Sequence, residues 1–425
     1  MKNRIVVLSF MMMLIHSASG QFTISGEFRP RTEYDHGTKK LASPGQEAVI
    51  FTSQRTRLNI QFNNEFIASR ISLQDIRIWG SQPQLNITDG LTSVHEAWAK
   101  VKFNDKFALK AGRQEIIYDD HRIFGNVGWS QQGRSHDAAL IQFTDKKLFN
   151  ADLGIAYNQN AVPSIPFTVS NNYKAMQYLW LHKDIAEKLG LSILVLNNGN
   201  QLITKIDSVT NKYSIIYSQT AGTRLTYKIN DNYRLAASAY YQTGKDATNK
   251  NLNAYYVSAE AGASFLEKKL NLTLGFERLS GTAQNSAGSE NNSFTPFYGT
   301  NHKFNGHLDY FYVGNHLNSV GLQDNYLQIS YKAGKWNPGF DIHNFSSAAQ
   351  IFDKINNKSY DAALGNELDF YLNYKWNDWV TFSGGYSQML GTASLEFLRG
   401  GSSTETSNWG WLMMTVTPEF FNSKK

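Results

Sequence analysis

The chain has 425 residues, 41% of them hydrophobic, with 41 Lys and Arg against 35 Asp and Glu and no cysteine. That length allows a large core or two soluble domains, and the missing cysteines exclude disulfides and thiolate metal sites. Setting Lys2 and Arg4 aside lowers the formal charge from +6 to +4, too mild a balance to identify a polyanion partner by itself.

Residues 1–20 read as a secretory signal peptide. Lys2 and Arg4 give a positive start, Ile5 to Ile15 is an apolar run, and Ala18-Ser19-Gly20 offers small residues for cleavage before Gln21. No Cys follows, so a lipid-anchored lipoprotein is excluded. Further on, no stretch approaches the ~20 continuous apolar residues of a spanning helix. An exported chain of this kind is either soluble or a barrel.

From Gln21 the chain alternates apolar and polar residues, the signature of a strand with two different faces. Phe22, Ile24, Gly26 and Phe28 share one parity, and Glu27, Arg29, Arg31 and Glu33 the other. A long link at 34–49 leads to Thr56, Leu58, Ile60 and Phe62, opposed by Arg55, Arg57, Asn59 and Gln61. The short link 63–65 turns the chain into Ile71 and Leu73, opposed by Arg70, Ser72 and Gln74. After a long link at 79–91, Ala97, Ala99, Val101 and Phe103 oppose Trp98, Lys100 and Lys102. Residues 104–106 turn back into Phe107, Leu109 and Ala111, opposed by Lys106, Ala108 and Lys110.

The rhythm persists downstream. Phe149 to Tyr157, Leu189 to Val195 and Thr223 to Ile229 are further alternating segments, with turns at Asp145-Lys146-Lys147 and Asn230-Asp231-Asn232. Tyr255 to Phe265, Leu270 to Phe276, Leu368 to Tyr374, 379–390 and 409–417 complete the series. Links alternate short with long, which predicts an all-β, closed antiparallel transmembrane β-barrel with short periplasmic turns and long extracellular loops. The count is about eighteen strands, an even number that places both ends of the barrel in the periplasm. Residues 21–425 form one domain. The 22 Tyr, 26 Phe and 9 Trp gather near strand ends, as in aromatic girdles. Long links at 34–49, 118–133 and 280–322 are candidates to cap the mouth or fold into the pore.

Residues 110–125 contain Gly112-Arg113-Gln114 and the basic segment His121-Arg122, followed by Trp129 and Arg134-Ser135-His136-Asp137. Tyr298–Gly306 with Leu308-Asp309, Gly385–Met389, and a closing Met-Thr-Val-Thr-Pro with Phe420 are further motifs. Together they resemble the alginate-export family of outer-membrane barrels across nearly the whole mature chain. The resemblance implies an eighteen-stranded barrel with an arginine-lined lumen that passes an acidic polysaccharide outward. The chain departs from the family in being rather short and mildly basic. It also has His136 where an aromatic residue is expected.

A conduit for polyuronates needs fixed cations at intervals with water between them, and arginine binds carboxylates bidentately without deprotonating. Binding must stay weak and multi-site if the chain is to move. By parity the candidates are Arg29, Arg31, Arg55, Arg57, Arg70, Lys100, Lys102, Lys110, Arg134 and Arg224. An arginine facing lipid near the midplane costs roughly 2–4 kcal/mol, so a shared polar parity is expected. Arg113, Arg122 and Asp137 join through the resemblance, and Arg77 completes the set. Alternation alone points Arg77 and Arg113 toward lipid; a β-bulge, or a place above the hydrocarbon band, reconciles them with the pore. In the loop 297–312, Asn301, His302, Lys303 and Asp309 form a pore constriction or sugar platform, or else fasten the loop to the wall.

Other classes find less support. Glu27 and Glu33 beside Arg29 and Arg31 fit a general porin with a transverse field equally well. Asp119-Asp120-His121 cannot converge on one metal ion from an extended strand, so a solvated loop is expected. His316 with Ser319 lacks a nucleophile elbow or other signature, so no enzyme is expected. Basic residues alternating with acidic ones over many strands give no nucleic-acid surface. The reading is a monomeric pore without cofactor, in the outer-membrane lipid of a Gram-negative bacterium, that passively conducts an anionic saccharide or polysaccharide. A polymer exporter would also need a periplasmic delivery protein. The alternative is a general or nutrient-uptake porin with weak selectivity.

Overall fold

The computed structural model describes residues 20–424 apart from 86–87, 161, 163–172, 207–210 and 287. The signal-peptide reading thus falls outside the described residues, save for Gly20.

The wall begins with β1 (Gln21–His36), β2 (Val49–Asn63), β3 (Ile67–Ile78), β4 (Thr92–Lys102), β5 (Phe107–Gln114) and β6 (His136–Thr144). It continues with β7 (Asn150–Tyr157), β8 (Ala175–Ile185), β9 (Leu189–Lys205), β10 (Asn211–Lys228), β11 (Tyr233–Lys245) and β12 (Asn251–Phe265). The last group is β13 (Leu270–Leu279), β14 (Leu322–Tyr331), β15 (Trp336–Ser346), β16 (Ala363–Lys375), β17 (Val380–Gly391) and β18 (Ser407–Val416), which resumes after Pro418 at Glu419–Asn422. Each strand pairs antiparallel with the next, and β18 returns to β1 through Arg31↔Met413 and Phe28↔Val416. The result is a closed 18-strand barrel, and closure removes every sheet edge.

Register explains the two faces. Leu58 stands opposite Leu73 and Gly26, while Arg57 stands opposite Gln74 and Glu27. The first set meets lipid and the second meets the lumen. Leu412 and Leu274 are among the most exposed side chains, as a lipid-facing band requires. Trp336, Trp376, Trp379 and Phe103 ring the periplasmic end. Five of the eight short turns share one device: the side-chain oxygens of Asn64, Asn104, Asp145, Asn230 and Asn377 each accept backbone N–H groups two and three residues on.

A bulge on β4 alters the alternation. Ser72 pairs with Glu96 and Leu73 with Val94, leaving His95 extra on β4. His95 and Glu96 are therefore both buried on the lumen side. Over the extracellular end, the helix α1 (Ala393–Arg399) is capped by Thr392, and its Leu395 is buried in the apolar cluster that also holds Leu41.

Candidate functional site

Two long loops fold into the barrel, and the wall receives them with opposite charges. On β1 and β2, Arg29 donates to the carbonyls of Gly128, Trp129 and Ser130 at 2.8, 3.1 and 3.0 Å. Arg31 donates to the Trp129 carbonyl at 2.8 Å, Arg55 to Ser130 and Gln131, and Arg57 to Gln132 at 3.2 Å. Four arginines thus satisfy five consecutive carbonyls, 128 to 132, of a backbone that has no strand partner. Gly133 completes the fit: its φ is +68°, and a Cβ there would lie 2.8 Å from Arg57 and His95.

Across the lumen, carboxylates of β13, β14 and β16 receive the loop 280–321. Glu277 accepts from Arg122 at 3.2 Å, from the Tyr256 hydroxyl at 2.8 Å and from Asn305. Asp324 accepts from Asn305 at 3.2 Å and is 2.8 Å from His343 Nδ1, and Glu367 accepts from the Leu308 N–H at 2.6 Å. Gly306 allows this approach, since it sits at φ +79° and any Cβ would collide with the Glu367 carboxylate. The two inward loops also pair with each other, through Gly125 N–H to Tyr298 O and Tyr298 N–H to Ile123 O.

Two cavities lie against the inward loops, on either side of one cluster of rings. An outer cavity of about 370 Å³, bordered by Arg31, Asp35 and Lys39, meets an inner cavity of about 300 Å³ bordered by Lys303, Asp341 and Asn373. Trp129, His302, His307 and Trp409 line both, and so form the throat. The Trp129 ring lies 4.7 Å from Trp411 and 5.1 Å from His302, and Trp409 stacks on His302 at 5.7 Å. His302 pairs with Asp309 at 3.0 Å, and Asn301 accepts from the Val313 N–H at 3.2 Å. Lys303, exposed to the lumen, donates to the Asp120 carbonyl at 2.7 Å.

The remaining candidates divide among several places. Arg70 pairs with Glu96 at 2.6 Å, Lys110 lies 4.1 Å over Trp98 beside Lys100, and Lys102 donates to Asn63 and Asn64 at the periplasmic rim. Arg224 pairs with Asp120 at 2.5 Å and with Glu260, tying the loop 115–135 to β10. Arg134 donates to the Gly299 carbonyl at 2.7 Å and joins the two inward loops; burial lowers its pKa to about 10. Arg122 is enclosed by Glu277, Asn305, Tyr256 and Phe304. Burial opposes its charge, but Glu277 and Tyr256 hold the guanidinium above its ordinary value.

Three candidates for the lumen face outward. Arg77 is opposite Gln54, on the parity of Leu58 and Leu73, and pairs with Asp75 and Asp89. Arg113 is opposite Asp137 and pairs with it at 3.1 Å, both exposed on the outer wall. Strict alternation holds at both arginines; the bulge falls at His95 instead. The segment at 119–121 is not a solvated loop either. Asp119 accepts from Ser192 and Trp180 inside the barrel, and Asp120 pairs with Arg224. His316 is buried with Nε2 3.0 Å from the Phe311 carbonyl oxygen.

Trp409, Trp411, His307 and the acidic wall are not among the site residues expected from the sequence. A signal existed: once Leu368, Phe370 and Leu372 face lipid, Glu367, Asp369 and Tyr371 must face in.

The barrel and its loop-built throat define an outer-membrane pore. The chain belongs to the alginate-export family: the family described as Alginate export matches residues 21–323. Among solved structures it is similar to OccAB4 of Acinetobacter baumannii, with a TM-score of 0.61 and 11% identity over 94% of this chain and 98% of that one. OccK9 (OpdG) of Pseudomonas aeruginosa gives 0.62 and 11% over 94% and 98%. OpdK of Pseudomonas aeruginosa with vanillate gives 0.56 and 10% over 93% and 99%. At these identities the likeness is one of fold. No curated protein matches the sequence.

Proposed function

We propose that this pore passively conducts small anionic solutes with a sugar-like face, such as uronates and short oligouronates, across the outer membrane. One observation carries the reading. The throat sets the half-buried ring of Trp129 beside an exposed cation, Lys303, on its inner side, while Arg31 already pairs with Glu33 and Trp409 is buried against His302. An indole face suits the apolar side of a sugar ring, while the ammonium suits its carboxylate. The opposing carboxylates Glu277, Asp324, Glu367 and Asp369 are buried beneath the loop, whereas Arg70 and Lys303 keep access to the lumen. A longer polyuronate would thread the same throat and need a periplasmic delivery partner.

A second reading, a nutrient-uptake porin, is favoured by a different observation. Arg29, Arg31, Arg55 and Arg57 are engaged by loop carbonyls and so are not a free anion ladder. On a similar fold, the OpdK structure holds vanillate, a small aromatic carboxylate. Liposome swelling separates the readings. Galacturonate should enter faster than galactose through the proposed channel, while equal rates would leave only a general porin.

A further inference from the structure

The lipid-facing wall carries a groove of about 180 Å³, lined by Phe149, Leu181, His182, Lys183, Leu191 and Ile193. Leu181 stands opposite Ile193 and Lys183 opposite Leu191, so these four side chains share the outward parity of Leu179 and Val195. The His182 ring points the other way, with Nδ1 2.9 Å from the Ser192 hydroxyl and Nε2 3.3 Å from Asp184. Phe149 follows the short turn 145–147, and Lys183 precedes the short turn 186–188. The groove therefore lies where the outer wall meets the periplasmic boundary of the bilayer. A row of rings marks the same level, with Phe107 4.9 Å from Phe143 and Phe143 5.1 Å from Phe149.

Lys183 is the charged side chain of the lining, and it is exposed. The neighbouring carboxylates are engaged, Asp145 by Lys106 at 2.7 Å and Asp184 by His182. Glu187 has Lys188 beside it in the next turn. Lys146, Lys147 and Lys183 are left exposed, with no ion-pair partner among the described residues. A lysine at this level lays its methylene stem on apolar surface and carries its ammonium to the headgroup region. An apolar slot ending in unpaired ammonium groups matches an amphiphile with an acyl chain and an anionic head. The slot is smaller than the ~300 Å³ at which pockets for whole solutes begin, and so suits a segment of chain. Its place at the periplasmic end selects a phospholipid of the inner leaflet over the lipid of the outer one.

We propose that this groove binds one anionic phospholipid of the periplasm-facing leaflet. An acyl chain lies along Leu181, Leu191 and Ile193, and the phosphate meets Lys183 beside the turn of Lys146 and Lys147. The test is native mass spectrometry of the detergent-folded full chain with phosphatidylglycerol. Phosphatidylcholine serves as the zwitterionic comparator, and glycerol phosphate as the headgroup without chains. Phosphatidylglycerol should be retained as a one-to-one adduct, more tightly than phosphatidylcholine and undisplaced by excess glycerol phosphate. Lys183→Gln should weaken its retention about fivefold, the contribution of one lysine at a membrane surface. Leu181→Trp, which fills the groove, should remove the adduct. Both variants are checked for heat-modifiable gel mobility; Lys183 is exposed, so its variant keeps the test decisive if Leu181→Trp does not fold. Equal retention of the two lipids, displacement by glycerol phosphate, or unchanged affinity in either folded variant overturns the proposal. Lipid retention reads no solute, so either result leaves the reading of the throat intact.

Discussion

Arg31 holds Trp129 twice: Nη1 donates to its backbone carbonyl at 2.8 Å, and the guanidinium lies 4.3 Å from the centroid of its indole. A cation expected by parity to meet solute is thus what holds the throat ring in place. Arg31→Gln loses the charge and the stacking, and hydrogen bonds to charged groups contribute roughly 1.5–3 kcal/mol each. The variant should show larger, noisier single-channel currents; an unchanged current would detach Arg31 from the throat.

Arg122 and Glu277 form a fully enclosed pair at 3.2 Å, linking the loop 115–135 to β13. Arg122→Ala strands a buried carboxylate, an uncompensated charge that costs about 3–5 kcal/mol. Its gel-mobility transition should occur at a clearly lower temperature, and Arg122→Ala with Glu277→Ala should recover part of the loss. The outer pair Arg113–Asp137 is the contrast. Exposed pairs are worth about 0–1 kcal/mol, so Arg113→Leu should leave the transition nearly unmoved.

Gly306 tests the acidic wall. At φ +79°, pressed against Glu367, it has no room for a side chain. Gly306→Ala should cost at least ~1–2 kcal/mol from backbone conformation alone and expose the segment 301–309 to limited proteolysis. Protection equal to that of the unsubstituted chain would mean the loop is held elsewhere.

His307, in the loop and at the throat, should give the pore an acid response. Burial lowers its pKa; Asp369 and Asp309 raise it, while His302 and His343 lower it further. A base with a lowered folded pKa takes up its proton later than the unfolded chain does. Its contribution to stability is therefore present above the ordinary imidazole value of ~6.5 and is lost as pH falls below it. Over the same range the throat gains positive charge. Reversal potentials should thus stay flat from pH 8 to about 6.5 and shift toward anions only below it. His307→Gln should reduce that shift, and an identical titration in the variant would assign it to another group.

The barrel was largely legible because period-two alternation and Asx turns are local. Asn64, Asn104 and Asn230 mark their turns in the sequence as clearly as in the structure. Arg29, Arg31, Arg55 and Arg57 were legible as inward-facing residues by parity. Their partners were not, because carbonyls 128 to 132 lie 75 to 101 residues away and carry no side-chain signal. His95 shows the limit of parity: one bulge turns two consecutive residues inward. Trp409 and His302 meet only after two loops fold inward and the barrel closes, a long-range event that no local pattern encodes.

The most direct test is the reversal potential of single channels in a planar bilayer under a KCl gradient, repeated with added oligouronate. The proposed conduit predicts anion selectivity and concentration-dependent block by the oligouronate, both weakened in Lys303→Gln. Weakly selective or cation-selective channels that ignore the oligouronate would contradict it and leave a general porin.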